Sequence, residues 1–134
     1  MNPITNKIKI GTVGELLVQL RLLEFDIQAA PPLRDSGNDL IAIRGEAIRA
    51  IQIKTTARND GFPFRLDDLP KMYHSLAIVQ LTGDKNTLHL DECRIFLLSR
   101  DDVRNGYRSF DDLRDYLLCT DVVNALFPKP PEEE

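Results

Sequence analysis

Apolar residues recur at Val13, Leu16, Leu17, Leu20 and Leu23. Steps of three and four place them on one helical stripe and predict an amphipathic helix over 12–24. Thr12 stands where the N-cap belongs. Thr12-x-x-Glu15 fits a capping box, in which hydroxyl and carboxylate each satisfy a free backbone N–H of the first turn. Residues 27–31 read as a short strand that stops at Pro31-Pro32, two residues without a ladder donor. A polar turn cluster over 33–38 leads into an apolar strand, Asp39 to Ile43, and Gly45-Glu46 reverses the chain into a second strand, Ile48 to Lys54. So short a link predicts a β-hairpin.

Beyond the hairpin the pattern loosens. Residues 57–66 form a charged, Gly-Pro-containing loop, and Asp67 to Met72 is read as a short helix. The run Leu76 to Leu81, apolar except for Gln80, has the length of a strand buried on both faces. Gly83-Asp84 signals a turn, Thr87 to Leu90 a short strand and Arg94 to Leu98 another. Helices are expected after Ser99 and over Phe110 to Leu118, the last entered through Ser109 as cap. Pro128 to Glu134 reads as a disordered acidic tail, leaving one domain over 1–127. Helix first, then hairpin strands, then further strands with helices predicts an α/β fold: a mixed central sheet flanked by helices.

Composition narrows the class only coarsely. The chain has 134 residues, 43% hydrophobic and 28% charged, which suits one globular domain with its own core. No long uncharged apolar run and no apolar leader stand out, so neither a transmembrane helix nor a secretory signal is expected. Cys93 and Cys119 lie at no metal-ligand spacing, which argues against zinc and for a reducing, cytoplasmic setting. The net charge of −4 is uneven. Residues 1–58 carry 8 basic and 6 acidic side chains, residues 59–134 carry 9 and 15, so the cations that could meet phosphate lie towards the front.

Three features of that front part converge. Asp39 opens an apolar strand after a Gly-containing turn. Gln52-Ile53-Lys54 closes the partner strand, and residues two apart in a strand share a face. Glu15 lies on the preceding helix. A carboxylate such as Asp39 suits Mg²⁺, with the Gln52 amide oxygen and the Ile53 carbonyl as further oxygen ligands. Such a metal activates water for phosphodiester hydrolysis. Lys54 beside it would orient the nucleophile or stabilise the charge on phosphorus, and Glu15 could accept a proton.

Glu15, Asn38-Asp39-Leu40-Ile41-Ala42-Ile43 and Ile51-Gln52-Ile53-Lys54-Thr55-Thr56 together resemble the PD-(D/E)xK nuclease superfamily, in the branch with Gln in place of the acidic residue. Small homing-endonuclease-like proteins and, more distantly, Holliday-junction resolvases are similar. The resemblance covers residues 10–56 and, more loosely, 76–81. It implies a restriction-endonuclease-like core of order αβββαβ and a Mg²⁺-dependent DNA endonuclease, with Mn²⁺ as a possible substitute. Asp39 takes the place of the metal-binding aspartate, Gln52 of the second ligand, Lys54 of the catalytic lysine and Glu15 of the first-helix glutamate. Two departures stand out. Gln52 removes one negative charge from the metal site, and Asn38 precedes Asp39 where the family has proline.

Other readings compete. The capping box accounts for Glu15, turn preference accounts for Asp39, and Asp35 rivals Asp39 for the acidic role. Lys54 could guard a strand edge. Thr55, Thr56 and Arg58 are expected as polar surface, His74 and His89 as structural or surface residues, and Phe64 and Tyr73 as core. Three classes follow: a DNA endonuclease, which needs a dimer (a homodimer, for one) or a larger assembly to cut both strands; a catalytically inactive module of the same fold that binds a protein or nucleic-acid partner; or an unrelated α/β protein in which the motif is coincidence.

Overall fold

The computed structural model describes residues 7–33, 37–58, 61–83 and 87–130. Helix α1 (Lys7–Leu23) is followed by strands β1 (Gln28–Ala30), β2 (Leu40–Arg44), β3 (Ala47–Thr56), β4 (Ser75–Gln80) and β5 (Arg94–Ser99), and the chain closes on helix α2 (Thr120–Leu126). The five strands form one mixed sheet in chain order. β3 and β4 run parallel and every other pair is antiparallel. This is the expected α/β class.

Helix α1 begins five residues before Thr12. Thr12 therefore lies inside the helix, and the predicted capping box with Glu15 does not exist. The buried stripe is also rotated from the predicted one. Leu17, Val18 and Leu22 are buried, with Ile10 and Val13 packed beside them, whereas Leu16, Leu20 and Leu23 are 59%, 54% and 58% exposed. Leucines occur on both flanks of this helix, so counting them does not fix its rotation. Gly14 does, because its missing side chain lets the helix lie directly against Thr55 of β3. The helix ends in a Schellman motif. Ile27 donates to the Leu22 carbonyl (3.1 Å) and Asp26 to that of Leu23 (3.0 Å), with Asp26 left-handed at φ 62°. The apolar pair Leu22 and Ile27 seals the end.

The sheet separates two cores. Ala77, Val79, Ile95 and Leu97 join α1 and α2 on one face. Leu76, Ile78, Phe96 and Leu98 join Leu66, Tyr107, Phe110 and Leu113 on the other. All six residues of β4 are buried, its polar ends Ser75 and Gln80 included, and its apolar middle, Leu76 to Val79, is the part the sequence predicts. The β2–β3 hairpin turns through Gly45 at φ 59°, and Arg44 and Arg49 donate to the Phe127 and Leu126 carbonyls at the end of α2.

Four predicted elements are corrected. The helix expected after Ser99 is a single 3₁₀ turn, Arg100–Asp102. Asp67 to Met72 forms no helix, since Pro70 offers no N–H and disfavours helical backbone at Leu69. No helix occurs among the described residues of the β3–β4 crossover, so the helix that the αβββαβ order expects between the third and fourth strands is not found there. Instead, Phe62 donates to the Arg108 carbonyl (3.1 Å) and Leu66 to Asn105 Oδ1 (3.0 Å). Thr87 to Leu90 reduces to one bridge, Gly83 to Leu88. The predicted helix over Phe110 to Leu118 is a 3₁₀ helix over Phe110–Tyr116, with Ser109 and Asp112 forming its capping box. Leu117 then bridges to Phe96 of β5. Helix α2 was not anticipated, because Val122, Val123 and Leu126 are too few to announce a helix. Of the expected tail, 131–134 lie outside the described residues, and Pro128 to Pro130 have no regular secondary structure.

Candidate functional site

The loop before β2 meets the second half of β3. Leu40 is opposite Ile51 in the ladder, yet the Asp39 N–H also donates to the Ile51 carbonyl (3.1 Å). Leu40 and Asp39, the residue just before β2, thus both face Ile51 of β3, an arrangement like that of a β-bulge. The simple alternation that would set Asp39 opposite Gln52 is broken there. The Asp39 carboxylate turns back to β3, where Oδ2 accepts the Ile53 N–H (2.7 Å). Asp39 thus serves the first β3 donor that β2 no longer reaches. Its Oδ1 makes no protein hydrogen bond among the described residues. In a strand, one residue's N–H and C=O point to the same side, so the Ile53 carbonyl faces the same gap as Asp39.

Glu15 enters this region from α1. Gly14, seated on Thr55, brings the next residue over the hairpin. Burial raises the Glu15 carboxyl above its ordinary value, and the nearby Asp39 charge raises it further. Without the capping box, Glu15 is a mid-helix carboxyl held within the field of a second carboxylate. Oxygen donors from Asp39 and the Ile53 carbonyl, next to Glu15, suit a hard divalent cation. Among the described residues no three His, Cys, Asp or Glu side chains form a metal-ligating group.

Gln52 is buried, at 7% exposure. Its Nε2 donates to the Gly37 carbonyl and to Asn38 Oδ1 (3.1 Å). Asn38 Nδ2 in turn donates to the Met72 carbonyl (2.9 Å). The end of Gln52 fixed by its contacts is the nitrogen, whereas the expected ligand role needs the oxygen. Lys54 is half-buried and lies on the Gln52 side of the strand, because Ile51 and Ile53 pack with α1 on the other. It makes no ion pair or hydrogen bond among the described residues. The fold therefore joins Asp39, the Ile53 backbone and Glu15, while Lys54, next to Ile53 in the chain, leaves β3 on the face opposite α1 and has no polar link to them among the described residues.

No family model, no curated protein and no solved structure matches this chain. Its functional reading rests on its own residues. No described helix is long and apolar enough to cross a membrane.

The other candidates fall into place. Asp35 lies outside the described residues. The Thr55 hydroxyl is buried without a hydrogen bond, and Thr56 is buried and accepts the Arg58 N–H (3.0 Å); neither is the expected polar surface. His74 is structural, its Nδ1 accepting the Ala50 N–H (2.8 Å). Tyr73 and Phe64 pack against the second core. His89 pairs with Glu92 (3.0 Å), and both cysteines are free, Cys93 buried and Cys119 exposed. Sequence reasoning missed the bulge and the Gln52–Asn38–Met72 chain. It also missed Gly14, although a glycine inside a helix is costly enough to signal a close backbone approach.

Proposed function

We propose that the protein is a metal-dependent DNA endonuclease of the PD-(D/E)xK type, hydrolysing phosphodiester bonds where the β2–β3 hairpin opens. The observation that carries this reading is the Asp39 carboxylate, held on the Ile53 N–H with the Glu15 carboxyl in its field. Asp39 Oδ1 and the Ile53 carbonyl would hold Mg²⁺ or Mn²⁺. When bound, such an ion acidifies water and offsets charge on phosphate. Glu15, made more basic by burial and by Asp39, accepts a proton from the attacking water. Lys54 supplies positive charge to the phosphoryl oxygens. One such site cuts one strand, so double-strand cleavage takes two copies. DNA as substrate and two free thiols suit a cytoplasmic setting.

A second reading, an inactive module of the same fold that binds a partner, is favoured by Lys54 having no polar link to Asp39. A cleavage assay on plasmid, linear and branched DNA, with Mg²⁺ and with Mn²⁺, separates the two. Wild type is compared with Lys54→Ala and Asp39→Asn, the latter keeping an oxygen for the Ile53 N–H while removing the charge. The endonuclease reading expects wild type to cut and each variant to lose about 100-fold or more. Folded wild type that leaves all substrates intact with both metals favours the module. Equal cutting by all three proteins removes the site.

A further inference from the structure

We infer that Gln52 is a positioning residue for Asp39, fastening the loop that delivers this carboxylate, and not a ligand of the metal. The chemistry assigned to Asp39 rests on the endonuclease reading; the fastening does not. Both groups that Gln52 Nε2 meets, the Gly37 carbonyl and Asn38 Oδ1, are acceptors. Turning the amide over would set its oxygen against two oxygens, so the donor end is fixed. Asn38 cannot compensate by turning its own amide without losing the Met72 carbonyl. The very next residue of β3 supplies the N–H that holds Asp39 Oδ2. Two consecutive residues, Gln52 and Ile53, therefore grip three consecutive residues, Gly37 to Asp39. Gln52 also ties that loop, through Asn38, to the end of the β3–β4 crossover.

This explains why position 52 is not the acid that the motif calls for. A glutamate has no donor when ionised, and its carboxylate would face the Gly37 carbonyl and Asn38 Oδ1 in a buried place. An unpaired buried charge of this kind is costly. Gln52→Glu, which adds the motif's missing acid, should therefore loosen Asp39 instead of improving the site.

The test measures Mn²⁺ binding by calorimetry and amide-exchange protection at Ile53, the donor to Asp39. The proteins are wild type, Gln52→Glu, Gln52→Met (a folding safeguard that keeps the volume) and Asp39→Asn. The inference expects both Gln52 variants to bind Mn²⁺ about 10-fold or more weakly, the usual effect of losing a group that orients a ligand. Ile53 protection should fall in both. In Gln52→Glu it should return as the pH drops and the carboxyl gains an O–H donor, a profile that Gln52→Met cannot show. Tighter Mn²⁺ binding by Gln52→Glu, with Ile53 still protected, makes residue 52 a ligand and overturns the inference. Should wild type bind no Mn²⁺, the endonuclease reading fails, and Ile53 protection decides alone. A loss of protection in Gln52→Met upholds the fastening, and unchanged protection overturns it.

Discussion

The two halves of the sheet are built to different standards. β4 is buried along its whole length, and β5 has four buried residues between a half-buried and an exposed end, so both strands are covered on both faces. Near its turn the β2–β3 hairpin is covered on one face only. Leu40, Ala42 and Ile51 pack towards α1, while the opposed pair Ile43 and Ile48 stays 42% and 56% exposed on the other side. The candidate chemistry lies in the half with less cover, where the strands part and backbone groups are served by side chains. Stability should therefore be concentrated in β4–β5, and the hairpin should tolerate the unpaired carboxylates that a site requires.

The largest expected effect tests the covered half. Phe96 is 1% exposed and stacks on Phe110 with ring centroids 5.8 Å apart. Phe96→Ala should cost about 3–5 kcal/mol, read by denaturant unfolding. A loss of under about 1 kcal/mol would mean that the second core is not the stabilising one it is taken to be.

The next test concerns the contact that brings α1 to the hairpin. A side chain at Gly14 would overlap Thr55, whereas one at Gly11 meets nothing within 4 Å. In a helix, alanine is favoured over glycine by about 1 kcal/mol. Gly11→Ala should therefore gain up to that amount. Gly14→Ala should lose about 1–2 kcal/mol net, because overpacking outweighs propensity. Opposite signs for two identical substitutions three residues apart would establish that Gly14 seats the helix. Equal signs would detach Glu15 from the hairpin.

How much of this was legible follows from range. The hairpin, the buried fourth strand and the α/β class follow from local alternation and turn residues, and they stand as expected. The rotation of α1 is a tertiary matter: Leu16, Leu17 and Leu20 look alike in sequence, and only contact with Thr55 separates them. The missing helix at 67–72 was readable, since Pro70 lies within it. The Asp39–Ile53 link could be anticipated only as a neighbourhood, because the bulge that turns Asp39 leaves no mark on the residue pattern. The role of Gln52 was hidden for another reason, since a family motif judges position 52 by charge while its neighbours judge it by which end of the amide donates.

The smallest effect asks what the open half tolerates. Burial, then the Asp39 charge, raises the Glu15 carboxyl from its ordinary value of 4.5. An acid raised in the fold holds its proton more tightly when folded than when unfolded. Stability therefore falls as pH rises through the interval between the two values. The penalty is absent below the unfolded value and complete above the folded one. Glu15→Gln removes it, so the variant should melt slightly higher than wild type near about pH 7, with the difference vanishing near about pH 4. Asp39→Asn should recover less of the difference than Glu15→Gln, because burial is the larger cause. A gap between Glu15→Gln and wild type that stays constant with pH would show that the two carboxyls do not share a field. The hairpin would then be as settled as β4 and β5, and the comparison between the halves would fail where it matters for chemistry.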